Sequence, residues 1–133
     1  MNKIIIIEDS QPVISLLTKK LILAGFDCEF IFQSGMLTRE EIVNQIFEKI
    51  PDLLILDLNM PGAGGIAVLE ELRFKEKEFN RDAIPIIILT ALDADKRDIE
   101  YLKKNASVAE FVQKPLTDFQ AFIELIKKHL KQY

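Results

Sequence analysis

The sequence predicts a doubly wound α/β domain, a parallel sheet covered on both faces by helices. Three observations carry this reading. Short continuous aliphatic runs at Ile4–Ile7, Leu53–Leu56 and Ile86–Leu89 have the length of strands and no polar alternation, as burial on both faces requires. Helical periodicity fills the intervals between them. Strand and helix patterns alternate five times with short links, and strict alternation implies parallel strands joined by right-handed crossovers.

Each element follows in order. Ile4–Ile7 is the first strand. The first helix runs from Pro12 to about Ala24, with Val13, Leu16, Leu17, Leu21 and Leu23 at mostly helical spacing and Gly25 as its stop. Cys28–Phe32 (CEFIF) is a weaker second strand. Thr38-Arg39-Glu40-Glu41 has the spacing of a capping box and opens a helix whose Ile42, Ile46, Phe47 and Ile50 are expected inward. Leu53–Leu56 is the third strand and Ile66–Phe74 the third helix; the polar stretch Lys75–Ala83 extends that helix and then loops to Pro85. Ile86–Leu89, a helix over roughly Asp95–Lys104 and a weaker strand at Glu110–Gln113 come next. Thr117-Asp118-Phe119-Gln120 opens the fifth helix by the same capping logic, ahead of a core stripe of Phe119, Ile123, Ile126 and Leu130. A second stripe of Phe122, Leu125, His129 and Tyr133 reads either as a broad core face or as a partner or dimer surface lined by Phe122 and Leu125.

Composition narrows the function. At 133 residues the chain fits one domain spanning 1–133, and 49% hydrophobic with 29% charged residues is ordinary for a folded protein. Seventeen basic against twenty-one acidic residues give a net charge of -4 with no basic block, so neither nucleic acid nor anionic membrane is an expected partner. The lone Cys28 excludes an internal disulfide and fits a reducing compartment. No apolar run approaches a membrane span, and MNKIIIIEDS is too soon acidic for a signal peptide, so a cytoplasmic domain is expected.

The polar residues fall where such a fold binds ligands. The first strand delivers Glu8 and Asp9, the third Asp57, the fourth Thr90 and the fifth Lys114-Pro115. In an open parallel sheet all carboxyl ends of the strands lie on one edge, and ligands bind there. Three carboxylates close together repel and need a cation; hard acidic oxygens suit Mg²⁺, which often shares its shell with a phosphate. Lys114 can neutralise a phosphoryl oxygen, and Thr90 offers a hydroxyl. An aspartate beside Mg²⁺ can itself attack phosphorus and become an aspartyl phosphate. The only histidine, His129, lies near the tail and is expected as a solvated flank residue, so no Ser-His-acid arrangement forms.

The segments IIIIEDSQP, LLILDLNMPGAGG, IPIIILTA and FVQKPL, in that order, resemble the receiver domain of two-component response regulators over essentially the whole chain. That resemblance implies a flavodoxin-like fold with five parallel strands in the order 2-1-3-4-5 and five flanking helices. It implies Asp57 as phosphoacceptor, Glu8 and Asp9 as the acidic metal pair, and the backbone carbonyl of Asn59 as a further Mg²⁺ ligand. Thr90 would be the switch hydroxyl with the Ala91 backbone N–H beside it, and Lys114 the phosphate-contacting lysine before a cis proline, Pro115. Phe111 falls at the rotameric switch position. The donor would be a sensor histidine kinase, a histidine phosphotransfer protein or a small acyl phosphate. The output would be a changed surface on the fourth helix, fifth strand and fifth helix, read by an unknown protein, as a monomer or a phosphorylation-dependent dimer. Such a chain is a signalling switch, not a turnover enzyme.

Some positions depart from the family pattern. Glu8 replaces a shorter acid and is expected to reach the ion through water. Asn105-Ala106-Ser107 replaces Gly-Ala, with Asn105 expected as a left-handed cap, and Leu92 is expected to limit water access and slow dephosphorylation. Two alternatives remain: an excised receiver of a longer regulator with a DNA-binding or enzymatic output domain, and a Mg²⁺-dependent phosphohydrolase of the haloacid dehalogenase type. The latter wants an aspartate at the position of Asn59. A flavodoxin is weaker still, because EDSQP lacks a phosphate loop.

Overall fold

A computed structural model of the chain describes residues 2–33, 35–62, 64–90 and 96–130, the side chain of Asp98 excepted. Its elements alternate as β1 (Lys3–Glu8), α1 (Gln11–Leu23), β2 (Asp27–Phe32), α2 (Arg39–Lys49), β3 (Leu53–Asp57), α3 (Gly65–Glu78), β4 (Ile86–Thr90), α4 (Lys96–Asn105), β5 (Glu110–Gln113) and α5 (Phe119–His129). The strands pair in parallel in the order β2-β1-β3-β4-β5. The doubly wound architecture expected from the alternation is the one observed.

Strand periodicity divides the aliphatic runs between two cores. Ile5, Ile7, Leu54, Leu56, Ile86 and Ile88 face the layer of α2, α3 and α4. Ile4, Ile6, Leu53, Ile55, Ile87 and Leu89 face α1 and α5. All twelve are fully buried, and each such side chain contributes about 1.5–3 kcal/mol by leaving water. Two-sided burial is why these strands show no polar alternation. It also leaves only their ends free for chemistry.

Helix starts are set by local hydrogen bonds. Ser10 caps α1 by accepting from the Val13 N–H, and Thr38 with Glu41 forms the expected capping box of α2. In α5 the cap is Asp118, which accepts from the Ala121 N–H at 3.0 Å, and not Thr117; a carboxylate is the stronger acceptor at a helix N-terminus. The third helix extends to Glu78, as the Lys75–Ala83 stretch predicts.

Several inward assignments change. Ile50 is 72% exposed and takes a left-handed φ of 50°, because the following Pro51 disfavours a right-handed helical residue before it; Val43 fills the core instead. On α1 the sheet-facing row is Ile14, Leu17 and Leu21, which leaves Leu16 and Leu23 exposed. On α5 the buried row is Phe122 and Ile126, continued by Leu130; Phe119 and Ile123 flank it half-buried. Phe122 is therefore a core residue, not part of a partner surface, while Tyr133 lies outside the described residues. Asn105 ends α4 without a left-handed φ; that conformation falls on Ser107, at 53°. His129 is half-buried and meets Glu110 of β5 at 3.0 Å, tying the end of α5 to the sheet.

At the amino edge of the sheet, an ion pair invisible to periodicity fastens three segments. Arg73 meets Glu76 Oε1 at 2.8 Å and donates to the carbonyls of Ala106 (2.7 Å) and Ile84 (2.9 Å). Glu76 Oε2 in turn accepts from the Ile84 N–H at 2.8 Å. Among the described residues, no helix is long and apolar enough to cross a membrane.

Candidate functional site

The carboxyl edge of the sheet gathers the polar residues that end the strands. Glu8 closes β1 and is fully buried, Asp57 closes β3 at 3% exposure, and Thr90 closes β4 at 4%. Side-chain parity sorts them. Glu8 follows Ile6, Asp57 follows Ile55, and Lys114 follows Val112, each two residues on, so all three lie on the α1/α5 side. Thr90 follows Ile88 by the same step, and Ile88 pairs in register with Phe111. Thr90 and Phe111 consequently share the opposite, α4 side of the sheet.

The three carboxylates converge closely. Glu8, Asp9 and Asp57 each place one oxygen within 4.8 Å of the others. Lys114 Nζ stands 2.5 Å from Glu8 Oε1 and 3.5 Å from Asp57 Oδ1. Glu8 Oε2 accepts from the N–H groups of Asp9 (2.8 Å) and Ser10 (3.1 Å). Glu8 Oε1, by contrast, forms an ion pair with Lys114 but is met by no donor in hydrogen-bonding geometry. The Asn59 N–H donates to Asp57 Oδ1 at 3.1 Å, which brings the Asn59 backbone over the cluster.

One lysine cannot offset three clustered acids, two of them buried, and their proton affinities diverge accordingly. Burial, reinforced by the Asp9 and Glu8 carboxylates, pushes Asp57 up to about 8. Burial pushes Asp9 in the same direction, but its hydrogen bonds with Glu8 and Asp57 and the Lys114 charge outweigh that and hold it below the ordinary range. Burial works against the charged Lys114, yet Glu8 and Asp57 outweigh it and hold the ammonium above its usual range. Without a cation, burial and mutual repulsion thus favour a proton held within the cluster near neutral pH, with Asp57 as its most basic carboxylate. A divalent cation would displace that proton, and the donor set fits one: three carboxylates with hard oxygens within 4.8 Å of one another, and no thiolate or imidazole among them. Glu8, Asp9 and Asp57 could hold such an ion.

Two backbone features hold Asp57 in place. Gly65 begins α3 directly against it: a Cβ there would lie 2.5 Å from the Asp57 carbonyl oxygen and 2.7 Å from Leu58 Cα. The Leu58 N–H donates to the Leu89 carbonyl at 3.0 Å, carrying the β3–β4 pairing one residue past Asp57. At β5 the Lys114 N–H donates to the Thr90 carbonyl at 2.8 Å, and the Lys114–Pro115 peptide is cis.

The sequence-derived residues come together with few exceptions. Glu8, Asp9, Asp57 and Lys114 meet within one cluster, Asn59 joins it through its backbone N–H, and Thr90 ends the neighbouring strand β4 on the other side of the sheet. Phe111 is half-buried on β5 with Lys103 Nζ 5.7 Å from its ring centroid. Ala91 and Leu92 lie outside the described residues. One buried polar residue at this edge was missed. Gln33, fully buried, directly follows β2, and the rule that polar residues collect at strand ends reaches it when applied to that strand as well.

Comparison with known proteins agrees with this geometry. Residues 4–127 match the family described as Response regulator receiver domain. Among solved structures, the chemotaxis protein CheY4 of Vibrio cholerae superimposes with a TM-score of 0.80 at 18% identity, covering 98% of this chain and 99% of that one. The response regulator protein TrrA of Thermotoga maritima, described in complex with Mg²⁺-BeF, is 30% identical with a TM-score of 0.72, covering 98% and 100%. The BeF3-activated N-terminal receiver domain of Klebsiella pneumoniae RstA is 26% identical with a TM-score of 0.77, again covering 98% and 100%.

Proposed function

The chain belongs to the response regulator receiver domain family, and from that premise we propose that it is a phosphoacceptor switch in which Asp57 takes the phosphoryl group. The observation that carries this is the cluster itself: a buried aspartate at a central strand end, flanked by two further acids and a lysine 3.5 Å away. The phosphoryl donor is a phosphohistidine on a sensor histidine kinase or histidine phosphotransfer protein, or a small acyl phosphate. An Asp57 carboxylate oxygen attacks phosphorus in line, the bond from phosphorus to the donor breaks, and the donor leaves with that electron pair. Mg²⁺, held by Glu8, Asp9, Asp57 and the backbone carbonyl of Asn59, would supply positive charge to the transferring group. Lys114 is aimed at Asp57 and can turn from Glu8 to a phosphoryl oxygen.

The output follows from sheet parity. By the family pattern, the Thr90 hydroxyl and the Ala91 N–H would be the donors to the oxygens of a phosphoryl group on Asp57. Movement of Thr90 frees room on the side it shares with Phe111, two register positions away, and Phe111 turns inward to fill it. The surface of α4, β5 and α5 then changes for a downstream protein or a second copy of the chain. The chain acts in the cytoplasm as a signalling switch, its chemistry limited to its own phosphorylation and dephosphorylation.

The test is intact-mass spectrometry after incubation with acetyl phosphate. Wild type should gain one phosphoryl group when Mg²⁺ is present and none in chelator, and Asp57→Asn should gain none. Labelling that persists in Asp57→Asn, or that ignores chelator, overturns the assignment.

A further inference from the structure

We propose that Gln33 is a positioning residue for the metal and phosphoryl site, acting through a turn that seats the loop following Asp57. This rests on the reading of Asp57 and its neighbours as a Mg²⁺-dependent phosphoacceptor site. Gln33 is a neutral amide at 0% exposure, directly behind Glu8: its backbone N–H donates to the Glu8 carbonyl at 3.0 Å. Its side chain closes the turn between β2 and α2 on itself. Nε2 donates to the Leu37 carbonyl at 3.1 Å, while Oε1 accepts from the N–H groups of Gly35 and Leu37, each at 3.4 Å.

The turn so closed abuts the loop that carries Asn59. A Cβ on Gly62, whose φ is 72°, would lie 2.9 Å from the Gly35 oxygen and 3.0 Å from Gly35 Cα. A Cβ on Gly35 would in turn reach Pro61 Cβ at 3.5 Å. The two backbones rest against each other with no side chain between them. From its other end the loop is held by the Asn59 N–H on Asp57 Oδ1 and by the Gly65 N–H on the Leu58 carbonyl. Gln33 thus reaches the site from two directions without entering it, at the Glu8 carbonyl and, through Gly35, at Gly62 in the loop that carries Asn59. Its amide serves where an acid could not, because a carboxylate would offer no donor to the Leu37 carbonyl and would be buried as an unpaired charge.

The experiment measures Mg²⁺ affinity by calorimetric titration, together with amide hydrogen exchange of the metal-free protein. Gln33→Met keeps the volume and removes the side-chain hydrogen bonds; it should weaken Mg²⁺ binding about ten-fold and speed exchange at Asn59 and Gly62. Gly62→Ala disturbs the same contact from the other side and should weaken binding similarly. The double variant should bind no more weakly than the worse single, because both break one seat. Arg73→Met, at the far edge of the sheet, should lower the melting temperature and leave Mg²⁺ affinity unchanged. An unchanged Kd in Gln33→Met, or a double variant whose losses add, overturns the proposal. If Gln33→Met fails to fold, an unchanged Kd in Gly62→Ala overturns it instead. Absence of saturable Mg²⁺ binding by the wild type would instead overturn the underlying site reading.

Discussion

Replacing Arg73 by Met separates the buried ion pair of the amino edge from everything at the carboxyl edge. The guanidinium side chain is 13% exposed and its partner Glu76 4%, so neither charge is well solvated. Removing Arg73 leaves the Glu76 carboxylate buried with the Ile84 N–H as its remaining partner, and takes a donor from the carbonyls of Ala106 and Ile84. Breaking one side of a buried pair costs about 3–5 kcal/mol, a large share of the ~5–15 kcal/mol that holds a domain folded. For a chain of 133 residues the unfolding entropy is about 0.28 kcal/mol/K, so the melting temperature should fall by about 11–18 °C. Urea unfolding followed by far-ultraviolet circular dichroism measures the loss directly; the chain has no Trp, so fluorescence is a poor probe. Met at both Arg73 and Glu76 should recover much of the loss, because no unpaired charge then remains. A loss below about 1 kcal/mol in Arg73→Met, or a double variant no more stable than the single, refutes the reasoning.

Other perturbations bear on the carboxyl edge. In chelator the folded protein holds a proton on Asp57 up to about pH 8, whereas an ordinary aspartate releases it near 3.8, so stability should fall as pH rises across that window. Thermal melts should show that slope in wild type and a flatter one in Asp57→Asn or with saturating Mg²⁺; identical slopes would contradict it. Lys114→Gln should slow phosphorylation by acetyl phosphate about 10²-fold, while Mg²⁺ binding holds or tightens because a competing cation has left Glu8 and Asp57. Single-turnover mass spectrometry and calorimetry read the two effects apart. Gly65→Ala forces a Cβ against the Asp57 carbonyl, and should cost about 1–3 kcal/mol and impair labelling of Asp57, as urea titration and mass spectrometry would report.

Much of the site was legible because strand ends are one-dimensional information. Once Ile4–Ile7, Leu53–Leu56 and Ile86–Leu89 are read as buried parallel strands, the residue after each run must emerge at the ligand-binding edge. Glu8, Asp57 and Thr90 are placed by that step alone. Gln33 escaped it because β2, an edge strand with Phe30 and Phe32 partly exposed, lacks the continuous burial that makes its neighbours obvious. Arg73 and Glu76 escaped for a different reason. An Arg and a Glu three apart on a polar helix look like any solvated pair until Ile84, Ala106 and Ser107 close over them.

The sequence by itself determined the alternation of elements, the parallel sheet, the capping box at Thr38 and which side chains meet at the carboxyl edge. Each depends on local spacing and on the rule that aliphatic runs bury both faces. Only the tertiary structure decided which face of each helix is core, as Ile50, Leu23 and Phe122 show, because a broad apolar stripe leaves its own centre undefined. The tertiary structure alone also set the proton affinities within the cluster. Asp57 is an ordinary aspartate in the chain and a proton-holding one in the fold, because burial and two neighbouring carboxylates act on it only when β1 and β3 lie side by side.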